Sequence, residues 1–414
     1  MTPSLYIALR FLSHRQRAFL LSLCCVVFGV AFFICIQAQT QGFADHFIES
    51  TVGSSGALVL NSRVQTPATG LPVGPTGSFS NASYSERRFL DGISNAPAIM
   101  RVARQFSNVV ACSPVLRGRL SARAGFESAT VDLFGIEPQL HLQTTDLGRQ
   151  LISGNIDDFR NNPAALIVGS RLADSLELKA GGVIQLLAPG GEYRRFPVAA
   201  IARSGVGAVD LVRIYCHTRV AQTLLNKPYG ASMILFKLRD AARAPELARH
   251  FAALFEHEAQ SWQDREEGNL QLFLTLRMSA GITVSLVILL AGFGIFNVLT
   301  MSVLSKIKEI AILRSMGYRR GDISAIFLWQ GAMIAAAGSA VGCALGALLT
   351  GLVSLIPIRV RGLLYADHFL VAWDWRHYVW AILLALLAVS IASYVPARRA
   401  AGLQPVTTLR GSSA

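Results

Sequence analysis

The sequence has little charge. Asp, Glu, Lys and Arg make up 15% of its 414 residues, whereas about 25% is usual in a soluble domain. The deficit is concentrated in four windows that contain none of these residues, namely 18–44, 278–305, 323–358 and 377–397. A helix needs roughly 20 apolar residues to cross a bilayer, so each window predicts one transmembrane helix. The third window is longer than one span, and Pro357 places the expected helix end near Ile356.

Charged side chains are also missing from the interior of every window. Ionisable residues inside a membrane usually mark a pathway for ions or protons. Their absence argues against a channel, a proton-coupled carrier or a pump whose route passes through these helices.

Motifs for catalysis and nucleotide binding are absent as well. No Lys follows a Gly anywhere, so the GxxxxGK[ST] cradle for ATP phosphates cannot form. The run from Gly205 has Asp210 where a dinucleotide fingerprint needs its last glycine, and neither HExxH nor GxSxG occurs. Six of the eight histidines are scattered without ligand spacing: His14, His46, His217, His250, His368 and His377. The sequence therefore predicts no catalytic residue, no metal site and no cofactor bound by the chain itself.

Basic residues are present at the span ends and predict the topology. They lie before span one, between spans two and three, and after span four: Arg10, Arg15, Arg17, Lys306, Lys308, Arg314, Arg319, Arg320, Arg398, Arg399 and Arg410. With four spans these regions share one side, which is cytoplasmic by the positive-inside rule. Three arginines between spans three and four are a weaker contrary signal. The apolar core Ala18–Ile36 exceeds the roughly 7–15 residues of a signal peptide, so we expect an uncleaved anchor and a multi-pass inner (plasma) membrane protein with both termini cytoplasmic.

The expected fold class is an α-helical membrane protein with four transmembrane helices, arranged one plus three, and a large α+β extracytoplasmic domain of two subdomains. Within that periplasmic domain, residues 138–228 are expected to form an inserted subdomain. The expected segments are the N-terminus with span one (1–44), the extracytoplasmic domain (45–276), span two (277–305), a cytoplasmic coupling helix (306–322), span three (323–356), a short outer loop (357–376), span four (377–397) and a cytoplasmic tail (398–414).

Of the six cysteines, Cys112 and Cys216 alone lie in the predicted extracytoplasmic domain. In an oxidising compartment they either form a disulfide or remain two unpaired buried thiols, and their spacing does not decide between these alternatives. Span three carries Gly338, Gly342 and Gly346 at intervals of four, which form a flat strip on one helix face. Neighbouring helices can approach closely there, so we expect a helix-packing site and a candidate subunit interface.

The coupling helix has a pattern of its own. Four apolar residues, Ile307, Ile310, Leu313 and Met316, recur at spacing three and form a stripe. Gly317 fits the left-handed position after a helix end, and Asp322 can cap the next helix. Two interpretations are equally open from the residues alone. Either the charges only enforce topology, or a partner docks on the stripe.

A resemblance to a known family decides between them. The run GIFNVLTMSVLSKIKEIAILRSMGYRRGDI (294–323) is similar to the signature of MacB/FtsX-type ABC transporter permeases, in which Asn-x-x-x-Met-x-Val precedes (R/K)EI-x-x-LR-x-(L/M)G. The C-terminal run 394–411 resembles the family's ending through Pro396, Ala397, Ala400, Pro405, Leu409 and Arg410. The layout looks most like LolC/LolE-type lipoprotein-releasing subunits.

The resemblance implies a mechanism called mechanotransmission. A separate ABC ATPase, which binds ATP and Mg, docks on the coupling helix and moves the long helices of two paired permease chains, the second being the same chain or a paralogue. The residues implied in ATPase coupling are Lys306, Lys308, Glu309, Ile310, Leu313, Arg314, Met316 and Gly317. The substrate would be a lipoprotein, lipid or peptide handled at the outer side, with membrane lipid and a periplasmic or outer-membrane partner in contact.

Two other functions stay open. One is an FtsX-like transmembrane activator of a cell-wall hydrolase, which keeps the ATPase but transports nothing. The other is a membrane receptor that works without an ATPase. No nucleic-acid partner is expected, because the net charge of +13 follows the topology and no basic run is interleaved with aromatic residues.

Overall fold

The computed structural model describes residues 16–62, 92–93, 95–227, 230–357 and 368–402. Several of the residues named in the sequence analysis lie outside this part of the chain, among them Arg10, Arg15, Pro405, Leu409, Arg410 and half of the loop 357–376. Contacts divide the described residues into two units. One covers His46–Leu270, and the other holds the residues before and after it.

The described residues form helices in both units, and four of these helices are much longer than the others. The helices in chain order are α1 (Gln16–Ser55), α2 (Ala96–Ala103), α3 (Pro138–Thr144), α4 (Ile156–Asn161), α5 (Ser170–Ser175), α6 (Gly207–Val212), α7 (Thr218–Leu225), α8 (Ala244–Phe255), α9 (Trp262–Arg265), α10 (Glu267–Ser305), α11 (Ile307–Ser315), α12 (Arg320–Ser354) and α13 (Trp375–Gly402). A short 3-10 helix covers Ala241–Arg243.

Four of the described helices, α1, α10, α12 and α13, are long and apolar enough to cross a membrane. Together with the mixed helix and strand domain they confirm the predicted fold class. Helix α12 ends at Ser354, two residues before the expected end at Ile356. Pro396 lies inside α13 and does not end it.

The unit His46–Leu270 is built on one mixed sheet. Its strands are β1 (Leu58–Asn61), β2 (Val109–Ala124), β3 (Glu127–Ile136), β4 (Leu151–Gly154), β5 (Leu166–Gly169), β6 (Val183–Leu187), β7 (Tyr193–Ala202), β8 (Arg213–His217), β9 (Met233–Leu238) and β10 (Glu258–Ser261). The order is β10-β1-β9-β2-β3-β8-β5-β7-β4, and β6 pairs with β2 and β7. Most pairs are antiparallel, while β3–β8 and β5–β7 are parallel.

Two main apolar clusters fill this unit. One contains Phe236, Phe251 and Trp262 beneath α2 and α8. The other contains Leu133 and Ile184 and packs α5 and α7 against the far half of the sheet. The insertion of residues 138–228 stays a prediction, since strands inside and outside that range pair in the same sheet.

Cys112 and Cys216 are both free and buried. Strand β3 lies between β2, which contains Cys112, and β8, which contains Cys216. Cys216 is paired with Gly135 of β3, and Gly135 is paired with Leu116 of β2, which is four residues beyond Cys112. The separation is therefore roughly 10 Å across the sheet and 13 Å along it, whereas a disulfide needs Cα atoms within about 7 Å. Of the two predicted alternatives, the structure therefore shows two unpaired buried thiols and no disulfide between Cys112 and Cys216.

Candidate functional site: the helix between the second and third spans

Helix α11 is a short element set off from the span before it by Lys306 alone. Five of its nine residues are good helix formers, and the Lys306 ammonium pairs with the Glu309 carboxylate three residues later. It ends at Ser315, and Gly317, two residues later, has a φ of +99°, the left-handed conformation expected after a helix end. Asp322 is the third residue of α12 rather than its cap, and its carboxylate accepts the N–H of Arg319 at 2.9 Å.

The inner face of α11 packs against its own chain. Ile310 is 1% exposed and joins a cluster with Phe327 of α12 and with Ala397 and Ala400 of α13. Leu313 packs against the same cluster from its edge. Alanine at positions 397 and 400 leaves room for the isoleucine, so two sequence motifs almost ninety residues apart meet in one core.

Arg314 fastens the helix in place. Its guanidinium donates a hydrogen bond to the backbone carbonyl of Ala401, near the end of α13, at 3.1 Å. That carbonyl belongs to the last turn of a helix, where no intrahelical donor is available. A charged donor makes this bond stronger than an ordinary one. Arg314 therefore connects α11 to the fourth span.

The outer face of α11 is exposed. It carries Lys308, Glu309, Ile312 and Met316, of which Ile312 is 52% and Met316 72% exposed. Residues 308, 312 and 316 are spaced by four and so share one side of the helix. We call Lys308, Glu309, Ile312 and Met316 the outer face. Two large apolar side chains beside a cation and an anion make a surface suited to a protein partner.

The predicted docking stripe is therefore split between the two faces. Ile310 is buried within the chain, Leu313 packs inward, and Met316 is exposed. Ile312, which the spacing of three passed over, is on the outer face. The signal that could have found it is the spacing of four with Lys308 and Met316. Whether these residues couple to an ATPase stays a prediction.

The glycine strip of α12 packs against α1. A Cβ added at Gly338 or Gly342 would lie 2.8 Å from the Cβ of Val26 or Val30, and one at Gly346 would lie 3.1 Å from that of Ile34. Close helix approach is thus present where it was predicted. The partner is a helix of the same chain, so the strip is covered within the described residues, and its use at a subunit interface stays a prediction.

Two arginines hold the C-terminal end of α1 within the unit His46–Leu270. Arg265 donates to the carbonyls of Ser55 and Gly56 at 3.2 and 2.7 Å, and Arg213 donates to the carbonyl of Ser54 at 3.2 Å. Burial lowers the pKa of Arg265 to about 10, so it stays charged at neutral pH. No sequence pattern indicates this arrangement, because the partners are backbone carbonyl groups far away in the chain.

A groove also opens on this unit beside α2 and α7. Its volume is about 1270 Å³. The apolar part includes Met100 and Leu140, and basic side chains such as Arg101 and Arg219 stand at its rim. A groove of this size can take an amphipathic chain.

Four spans, an α/β domain between the first and second, and a short helix with an exposed outer face define a multi-span membrane protein with a large extramembrane domain. Family comparisons match two parts of it. The MacB-like periplasmic core domain covers residues 19–254, more than half of the chain, and the FtsX-like permease C-terminal domain covers 281–405. The chain therefore belongs to the MacB/FtsX-type family of ABC transporter permeases, as the resemblance predicted.

Individual relatives agree with this assignment. The lipoprotein-releasing system transmembrane protein LolC of Neisseria meningitidis is 24% identical over 75% of this chain and 80% of its own. LolE of Haemophilus influenzae is 27% identical over 74% and 78%. The extracellular domain of the transporter YknZ aligns with half of the chain at 15% identity and a TM-score of 0.32, which is too low to support an argument. The protein is thus an ABC transporter permease of the MacB/LolC type.

Proposed function

We propose that the chain is a permease subunit that works by mechanotransmission. A separate ATPase docks on the outer face of α11, and its ATP-driven motion is used to export or extract an amphipathic substrate at the extracytoplasmic side. The substrate class is a lipoprotein, lipid or peptide. The names of the LolC and LolE relatives favour a lipoprotein.

One observation carries the proposal. Helix α11 has an exposed outer face and an inner face that Ile310 and Arg314 fix to spans three and four. A helix attached in this way passes a displacement on to the spans, because packed cores transmit strain. A helix that only enforced topology would need neither the buried isoleucine nor the bond to Ala401.

The remaining parts of the proposal follow from the charge pattern and the family. The N- and C-termini are cytoplasmic, so that α11 faces the compartment that contains ATP. A second permease chain, either a copy or a paralogue, completes the transporter. No feature of the described residues favours the hydrolase activator or the ATPase-independent receptor over this function.

The test is copurification of the ATPase from native membranes with Met316→Glu. Met316 is 72% exposed, so the substitution should leave folding intact, and loss of a central apolar contact weakens an interface by about 2 kcal/mol or more. We expect the variant to insert normally but to lose the ATPase and ATP-dependent substrate release.

Phe126→Glu is the matched control, since Phe126 is a 98% exposed apolar residue at the tip of the β2–β3 hairpin. It should retain the ATPase. Equal copurification and transport in the two variants would show that the outer face is not the docking surface.

A further inference from the structure

A polar cavity lies among α1, α10 and the start of α13, at the ends of their apolar spans that are opposite to α11. It has a volume of about 240 Å³, and its polar lining consists of Gln37, Gln41, Arg277, Asp374, Arg376 and His377. Pockets for drug-sized ligands start at roughly 300 Å³, so this cavity suits a smaller polar group. None of these residues takes part in the proposed coupling at α11.

The cavity contains two cationic side chains without an ion-pair partner. Neither Arg277 nor Arg376 has a salt bridge within the part of the chain that the structure describes. The one carboxylate in the lining, Asp374, uses an oxygen to accept the backbone N–H of Arg376 at 2.9 Å. Two guanidinium groups against one carboxylate leave a net positive charge on the lining, which favours an anionic guest.

His377 is a buried polar group with one unused nitrogen. The residue is 5% exposed. Its Nε2 is 2.8 Å from Oε1 of Gln41, while Nδ1 has no partner among the described residues. The amide of Gln41 can also be placed with its nitrogen towards Nε2, and the ring then carries its proton on Nδ1 and can donate it. A buried donor left unpaired is destabilising, so a polar guest that accepts this hydrogen bond would remove that cost.

The walls of the cavity are fixed by backbone contacts. The N–H of Ala372 donates to the carbonyl of Ala38 on α1 at 2.9 Å. A Cβ added at Gly42 would lie 2.6 Å from the Cα of Val371, so the segment before α13 rests directly on α1. The positions of Asp374 and His377 are therefore set before any ligand arrives.

The level of the cavity in the membrane follows from the sequence. Arg277 directly precedes the uncharged window 278–305, and Arg376 directly precedes 377–397. Trp373, Trp375 and Trp380 stand nearby and are 61%, 69% and 60% exposed. Tryptophan concentrates at the membrane–water interface, where the phosphates of lipid headgroups lie.

We propose that this cavity binds the phosphate of an anionic phospholipid headgroup. Arg277 and Arg376 contact the phosphate oxygens, and Nδ1 of His377 donates a third hydrogen bond. Guanidinium groups match phosphate geometry, and basic pockets between membrane helices recognise lipid headgroups. The bound lipid would hold the ends of three spans together, a role that does not depend on the coupling mechanism.

The experiment uses the purified full chain in detergent with dioctanoyl phosphatidylglycerol as the probe. Native mass spectrometry counts bound lipid, and the melting temperature reports its effect on the fold. Charge-assisted hydrogen bonds are worth about 1.5–3 kcal/mol, so Arg277→Gln with Arg376→Gln should weaken binding about tenfold or more. Arg319→Gln with Arg320→Gln changes two exposed arginines at the opposite end and should leave binding unchanged.

Two results would overturn the proposal. One is equal lipid binding by the wild type and the Arg277/Arg376 variant. The other is an equal rise in melting temperature with inorganic phosphate at the same concentration, which would make the cavity a site for a free anion. If the double variant does not fold, each single Arg→Gln substitution is measured instead, and unchanged affinity in both has the same meaning.

Discussion

At the residue scale, the glycines of α12 show how a missing side chain sets a helix distance. Gly338, Gly342 and Gly346 face the branched side chains of α1, and Gly331 likewise faces Ser393 of α13 at 2.8 Å from an added Cβ. Lipid tails are as apolar as the helices, so membrane helices associate by close packing rather than by the hydrophobic effect. Each atom added at such a contact therefore lowers the stability of the helix packing.

We expect Gly342→Ala to destabilise the membrane unit by about 1–3 kcal/mol. The added Cβ would meet Val30 at 2.8 Å and the carbonyl of Val27 at 3.0 Å, and neither atom is the end of a flexible side chain. Gly351→Ala on the same helix is the control, because no atom lies within 4 Å of its added Cβ. Thermal unfolding in detergent gives the comparison, and equal stability of the two variants would contradict the tight packing.

His141 should make the unit His46–Leu270 sensitive to acid. It is fully buried, its Nδ1 lies 3.3 Å from the Ser113 hydroxyl, and burial together with the nearby charge of Arg213 lowers its pKa from 6.5 to about 3. Below pH 6.5 the unfolded chain binds a proton that the folded chain refuses. Stability from this group is thus complete above pH 6.5 and falls by up to about 1.4 kcal/mol per pH unit between there and about pH 3.

The measurement is the unfolding temperature of the full chain as pH is lowered through this window. His141→Gln, which stays neutral, should show a smaller loss than the wild type. His250→Gln changes an exposed histidine and should follow the wild type. Identical acid profiles for all three proteins would exclude His141 as the cause.

At the scale of the element, α11 depends on contacts that its own sequence does not contain. Ile310 needs Ala397 and Ala400, and Arg314 needs the carbonyl of Ala401. These contacts are tertiary, and they explain why the helix keeps one fixed orientation with Met316 outward.

Replacing Arg314 by Met should loosen α11 without unfolding the spans. The substitution removes the donor to Ala401 and costs about 1–3 kcal/mol at that corner, so backbone amides of α11 should exchange with solvent faster. Hydrogen exchange of the segment Ile307–Ser315, followed by mass spectrometry, measures this. Lys308→Met changes an exposed residue and should leave exchange as it is. Unchanged exchange in Arg314→Met would mean that Ile310 alone holds the helix.

Much of this element could be predicted from sequence. The helix, its end at Gly317 and the spans on either side follow from local patterns of charge, hydropathy and glycine. Which face is free could not be predicted, because the periodicity of Ile307, Ile310, Leu313 and Met316 fits a docking stripe as well as a buried one.

At the scale of the whole molecule, the family assignment and the topology have different support. Family comparisons span residues 19–254 and 281–405, and four described helices are apolar enough to cross the membrane. Which side each connecting segment faces rests on the charge pattern alone. The proposed coupling requires α11 to face the cytoplasm, so the topology can be tested independently of any ATPase.

Cysteine substitutions at Met316 and Phe126 provide that test. Both side chains are highly exposed, at 72% and 98%. In the predicted order of segments, one span separates the segment of Phe126 from that of Met316. A membrane-impermeant maleimide added to intact spheroplasts should label Phe126→Cys and leave Met316→Cys unlabelled. After the membrane is permeabilised, both should react, which controls for hidden thiols. The reverse pattern would place α11 outside the cell, away from ATP, and would contradict the proposed mechanism. The proposed lipid site would not be affected, because it requires only that Arg277 and Arg376 lie at the membrane surface.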